Sequence, residues 1–254
     1  MPFTFSHPAI ILPLLKAKSN RFSGTALVIG SMAPDFEYFI RMELLQQHGH
    51  TLAGIFYFDL PLVILLTFIY HLIVRDPLIE HLPNFIRHRF MPYFKLDWLS
   101  WVKKHWFVLI YSSILGILAH LFWDAFTHQN GIFVKHIAVL QGQINVLGVD
   151  MLITEFGQIM STLIGAVIIL LYLMIIPKSS PSRFEFAVIK YWFLVMMVAF
   201  ATLLVRYPHS LSTFIATSIS GFFIGIIAVS ASRQLYLKRI QTNTRHHEEN
   251  VRDV

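Results

Sequence analysis

The sequence predicts an all-α fold, a multi-pass transmembrane helical bundle, and three observations lead there. Apolar residues fill 56% of the 254 positions and charged residues only 13%, about half the roughly 25% charge of a soluble globular chain. The apolar residues fall in blocks of about 20, the length that crosses a bilayer. None of these blocks alternates apolar with polar residues as barrel strands do, so helices that satisfy their own backbone groups are expected.

Five blocks qualify as full spans: residues 54–74, 106–126, 157–176, 186–205 and 211–231. Asp59 and Pro61 interrupt the first, where a kink is expected. Glu155 and Gln158 open the third. An acidic first turn suits the helix dipole, and support of a ligand histidine is the alternative. Residues 23–40 form a sixth, partial segment. It carries Pro34, Asp35 and Glu37, so a re-entrant or protein-buried amino-terminal helix is expected rather than a lipid-facing one. One membrane-embedded helical domain over 1–237 is expected, followed by a polar cytoplasmic tail over 238–254 in which His246, His247, Glu248 and Glu249 are solvated.

Lys and Arg set the orientation. Residues 75–105 carry Arg75, Arg87, Arg89, Lys95, Lys103 and Lys104. Lys178 and Arg183 follow the third span, and the tail holds Arg233, Lys238, Arg239, Arg245 and Arg252. Residues 127–156 hold only Lys135, against Asp150 and Glu155. Five spans alternate correctly if the basic loops and the C-terminus are cytoplasmic and 127–156 lies on the far side, which points to the cell inner (cytoplasmic) membrane. Lys16, Lys18, Arg21 and Arg41 conflict with that count unless the partial segment intervenes. Residues 84–106 mix basic and aromatic side chains, the pattern of an amphipathic helix along the inner surface. His71, His81, His88 and His105 belong to that interface with Trp98, Trp101 and Trp106.

The net charge of +6 thus serves orientation, and no nucleic-acid partner is expected. The absence of cysteine excludes disulfides, thiolate metal sites and cysteine nucleophiles. No Gly-rich phosphate loop or Gly-x-Ser-x-Gly elbow occurs. The opening residues lack a basic n-region, so the first span is expected to act as an uncleaved insertion signal.

The chemistry lies in the 13 histidines. At the end of the second span His120, Asp124 and His128 are spaced by four and share one helix face. Two ligands at i and i+4 can hold one metal. His120 and His128, about 12 Å apart along the axis, cannot easily reach the same ion, but a carboxylate between them can bridge two. Ionisable groups in a span are costly and mark function; a buried His–Asp hydrogen bond locking two helices is the plainer alternative. His7, Asp35 and His50 add nitrogen and carboxylate donors that suit zinc or another divalent metal. Charge counting places His50, Asp124 and His128 at one membrane face.

The opening Met1-Pro2-Phe3-Thr4-Phe5-Ser6-His7-Pro8, the stretch from Gly30 to Tyr38 and the His120–His128 helix resemble an uncharacterised family of bacterial integral membrane proteins over most of the chain. More distantly, the order His, Pro-Asp, His-Thr, His-x-x-x-Asp is similar to YdjM-type membrane-bound metal-dependent hydrolases and to the zinc-dependent phospholipase C and nuclease group. That similarity implies one zinc held by Asp35, His50, His120 and Asp124, with Asp124 bridging to a second that also takes His7. The later His-x-x-x-Glu pair of the soluble enzymes, and their processed amino terminus, have no counterpart here. The expected function is a membrane-bound divalent-metal-dependent hydrolase of a phosphodiester or ester in a lipid-like substrate. The alternative is a non-catalytic scaffold or small transporter with a buried His–Asp network.

Overall fold

The long apolar blocks form the helices expected of them. The computed structural model describes residues 3–15, 21–179 and 186–252. Expectations on Met1, Pro2, Lys16, Lys18 and Arg183, and on the side chains of Arg245, His246, His247, Glu248, Glu249 and Arg252, lie outside what it describes. Among the described residues, five helices are long and apolar enough to cross a membrane. They are α4 (Ile55–His81), α7 (Trp106–Thr127) with its continuation toward His136, α9 (Ile153–Ile175), α10 (Phe186–Arg206) and α11 (Leu211–Arg252). The protein is an all-α membrane protein whose one sheet, among the described residues, has two strands.

The chain divides into two compact units. The first comprises Met1–Arg41, Leu45–Thr67 and Asp97–Pro177. It opens with α1 (Thr4–Leu15), largely 3-10 and containing Pro8. Next come α2 (Gly24–Gly30), a 3-10 turn at Ala33–Asp35 and α3 (Phe36–Arg41). The partial amino-terminal segment is therefore two short helices. Pro34 has no N–H to continue the ladder, and the side chains flanking the break, Asp35 and Glu37, are buried in protein. Ser23 caps α2 by accepting from the Ala26 amide. Leu27 packs with Ile11 and Leu12 in the core of this unit.

Helix α2 lies against α7 at very short range. A methyl on Gly30 would come 2.6 Å from the Ser113 carbonyl, and one on Gly116 would come 2.5 Å from the Leu27 carbonyl. Both positions need glycine for this approach. Helix α1 is pinned to α9 in the same manner. Gly165 admits the Ser6 backbone, Ser6 Oγ donates to the Thr162 carbonyl (3.0 Å), and the Phe3 amide donates to Thr162 Oγ1 (3.0 Å).

Helix α4 starts with a π-helical turn, Ile55–Asp59, in which the Leu60 amide bonds to the Ile55 carbonyl. Pro61, with no amide hydrogen, cannot donate one turn back, and a wider turn is found where the kink is expected. The segment over residues 84–106 differs from expectation. It is two short helices, α5 (Asn84–Phe90) and α6 (Trp98–Lys104), interrupted by Pro92 and by Lys95 at φ 55°. After α7 come the short α8 (Ile132–His136) and an antiparallel hairpin, β1 (Gln143–Val146) and β2 (Val149–Leu152). Its Leu147-Gly148 turn has positive φ at both residues, the geometry that matches strand twist. Glu155 completes the cap of α9 by accepting from the Leu152 amide.

The second unit comprises Met42–Leu44, Phe68–Leu96 and Lys178–Val254. Here Tyr191 on α10 meets Ser230 on α11 through their hydroxyls (2.9 Å), and Arg233 pairs with Glu80 (2.8 Å). His81, expected at the interface, is instead buried and stacked on the Tyr191 ring at 4.6 Å. Its carbonyl accepts from Trp192 Nε1, so the ring is core packing.

Candidate metal centre

His120 and Asp124 sit one turn apart on α7, both buried. The close approach of α2 brings the Ser31 carbonyl to His120 Nδ1 at 2.8 Å. A carbonyl only accepts, so Nδ1 carries the proton and Nε2 presents its lone pair inward. This is how metal-ligating histidines are held. His7 is anchored likewise, Nδ1 donating to the Thr4 carbonyl (3.2 Å), and its ring stacks on His120 at 4.0 Å.

Asp124 has two working sides. Its Oδ2 lies 3.0 Å from His50 Nε2 and 3.3 Å from His120 Nε2. Its Oδ1 lies 3.1 Å from His7 Nε2 and 3.5 Å from His128 Nδ1. Burial lowers the affinity of His7 for a proton, but the hydrogen bond and charge of Asp124 outweigh it and hold its pKa above the ordinary value. Positive charge is therefore favoured between these groups.

Asp35 completes the Oδ2 side. Thr4 Oγ1 donates to Asp35 Oδ2 at 2.7 Å, while Oδ1 is buried with no hydrogen-bond partner. That orphaned oxygen faces His120 Nε2 at 3.7 Å and His50 Nε2 at 3.9 Å. The two Nε2 atoms are 3.3 Å apart. Donor atoms of Asp35, His50, His120 and Asp124 all lie within 4.8 Å of one another. In a tetrahedral site with bonds of about 2.0–2.1 Å, neighbouring donors are about 3.3–3.4 Å apart. The three distances among His50, His120 and Asp124 lie near that spacing and the two from Asp35 Oδ1 are longer, so the four donors suit a metal ion in number and type and could hold one.

The loop that carries His50 is held by Glu37. Its carboxylate accepts from the backbone amides of Gln47 (3.0 Å), His48 (2.8 Å) and Gly49 (3.2 Å), and from Arg41 Nε (2.9 Å). Burial opposes ionisation, and these donors more than reverse it, lowering its pKa to about 2. Tyr38 OH donates to Gln46 Oε1 (2.7 Å), Gln46 Nε2 donates to the Pro34 carbonyl (3.2 Å), and the same amide touches His50 Nδ1. His50 and His128 are the accessible members, with side chains 22% and 33% exposed; His7, Asp35, His120 and Asp124 are at most 5% exposed.

All six residues singled out in the sequence come together: Asp124 meets His50 and His120 on one oxygen and His7 and His128 on the other, and Asp35 faces His50 and His120. His71 and His81 lie in the second unit and His105 stacks on Trp101. Sequence reasoning missed Thr4, Ser31 and Gln46, which hold ligands through single hydrogen bonds with no motif, and the clamping role of Glu37. The Glu37–Arg41 spacing of four was its one visible signal. Gln158 donates to the Thr127 carbonyl (2.7 Å), tying α9 to the end of α7. Asp59, where a kink is expected, is fully buried, and neither of its oxygens has a hydrogen-bond partner.

A family model described as "Domain of unknown function (DUF4184)" matches residues 1–231. No curated protein and no solved structure matches the chain.

Proposed function

The chain belongs to the DUF4184 family, defined without an assigned activity, and we propose from the site alone that it is a membrane-bound, divalent-metal-dependent hydrolase. The observation that supports this best is the orphaned Asp35 Oδ1 facing two inward-directed histidine nitrogens. Carboxylate oxygens and imidazole nitrogens that converge at such distances are unfavourable without a proton or a metal cation among them. Asp35, His50, His120 and Asp124 would hold zinc or another divalent ion. When bound, such an ion supplies Lewis acidity and lowers the pKa of water. His7 holds a proton against Asp124 Oδ1. His128, partly exposed beyond the C-terminus of α7, lies on the same oxygen of Asp124 as His7. The substrate is a phosphodiester or ester of a lipid, approached from the side of His50. The site lies at the non-cytoplasmic face of an inner membrane, with the C-terminus cytoplasmic, as the Lys and Arg distribution favours.

Elemental analysis of the purified protein tests the reading. About one divalent transition ion per chain or more is expected, lost in Asp124→Asn and His120→Ala and retained in His71→Ala, with metal-dependent cleavage of a bis(nitrophenyl) phosphate probe. Wild-type protein without metal, unresponsive to added zinc or manganese, overturns it. A second reading, a small cation transporter, is favoured by Asp59, a buried unpartnered carboxylate inside a span. Metal uptake into proteoliposomes without hydrolysis selects that reading.

A further inference from the structure

A cavity of about 250 Å³ lies between α1, α7 and α9, lined by Ile10, Phe122, Trp123, Phe126, Thr127 and Ser161. Its walls are the neighbours of the metal-centre residues. Ile10 follows His7 by three positions, and Trp123 and Thr127 flank Asp124. The Trp123 ring is 6.2 Å from that of His7. Phe122 and Phe126 belong to a membrane span and are 54% and 36% exposed. The cavity thus opens on surface that faces hydrocarbon, and what can enter from there is a lipid chain. The apolar face also runs on: Phe126 stacks on Phe133 of α8 at 4.1 Å, and Phe122 meets the same ring edge-on at 5.8 Å.

A second observation points to a polar part of the occupant. Thr127 is 5% exposed, and its Oγ1 is buried with no hydrogen-bond partner. A buried hydroxyl without a partner is costly, and an ester carbonyl would accept from it. Along the helix Thr127 lies about 4.5 Å from Asp124, a few bond lengths, as the ester of a glycerophospholipid lies from its phosphate.

We infer that this cavity is an acyl-chain site taking one chain of a membrane glycerophospholipid, with the chain's ester carbonyl on Thr127 and its phosphate at the Asp35–His50–His120–Asp124 centre. The headgroup end rests on the hydrolase reading; the chain end stands on the cavity itself. Hydrocarbon gains little by leaving lipid for protein, so selectivity comes from shape and from the Thr127 hydrogen bond.

The test is photocrosslinking of the full chain in phosphatidylglycerol nanodiscs doped with phosphatidylcholine bearing a mid-chain diazirine, read by peptide mass spectrometry. Labelling is expected at Ile10, Trp123 and Phe126, several-fold above that at Leu170, which lies exposed on α9. Ser161→Trp, which fills the cavity, should abolish that labelling while metal content stays wild-type. Ile10→Trp does the same from another helix, should the first variant fold poorly, and Leu170→Trp should change nothing. Even labelling of all lipid-facing positions, or labelling that survives both filling variants, overturns the site. Competition by oleate as effective as by unlabelled phospholipid overturns the phospholipid assignment. Protein that is labelled in the cavity but holds no metal supports this site and sinks the metal reading alone.

Discussion

Glu37→Gln isolates what holds the His50 loop. The carboxylate accepts three backbone amides and one guanidinium nitrogen, whereas an amide offers one oxygen and would turn a donor toward the loop. A drop in pKa from 4.5 to about 2, at about 1.36 kcal/mol per pH unit, corresponds to roughly 3 kcal/mol. The sign follows from the direction. The folded pKa is depressed, so this stability is fully present above pH 4.5 and is lost as pH falls toward 2. At pH 7 the variant should release the 46–50 loop by roughly 3 kcal/mol, about a hundredfold increase in local opening. Amide hydrogen exchange at Gln47, His48 and Gly49 in detergent micelles reads this directly, and metal affinity should fall with it because His50 is no longer positioned. Wild-type protection at those three amides would refute the clamp. So would a variant whose loop opening still rises between pH 4.5 and pH 2 as steeply as in the parent.

Further predictions follow from packing and topology. Gly116→Leu forces α2 off α7 and should cost about 3 kcal/mol or more, as overpacking against backbone does; denaturant titration checks it, and unchanged stability would refute the close contact. Thr4→Val removes the donor to Asp35 Oδ2 and should cost about 1–3 kcal/mol in metal-free protein, with a smaller loss when zinc is bound; thermal melts with and without chelator compare the two. Zinc at a hundredfold its dissociation constant should stabilise the wild type by about 2.7 kcal/mol, and Asp124→Asn should abolish that gain. Reporter fusions at Lys104 and Lys178 should report cytoplasm and one at Gly142 the far side; a far-side signal at Lys104 would reverse the assigned orientation.

The spans are legible in the sequence because hydropathy accumulates over 20 residues and tolerates local irregularity. The His120, Asp124 and His128 spacing is legible because helix period is a local property. What is not legible depends on partners without side-chain signatures. Glu37 binds three backbone amides, and Ser31 contributes only a carbonyl. The Leu147-Gly148 turn lacks the Asn-Gly or Asp-Gly signal of its type, so the hairpin is invisible beforehand. Over 84–106 the amphipathic pattern concealed the break at Pro92 and Lys95. His81 shows the opposite effect: a basic neighbourhood suggested the interface, and the Tyr191 ring, 110 residues away in sequence, took it into the core.

The pinning of α1 to α9 sets an order of assembly during synthesis. The segment that carries His7 is made before Thr162 and Gly165, on which it docks and which emerge more than 150 residues later. At about 5–20 residues per second, the amino-terminal segment waits roughly 8–30 seconds for its binding surface. Before the third span is made, α1 has its contacts with α2, the turn after it and α7, through Leu27, Asp35 and Asp124. The contacts of α1 with Thr162 and Gly165 therefore close last, and the third span fixes in place a segment that the first two already touch.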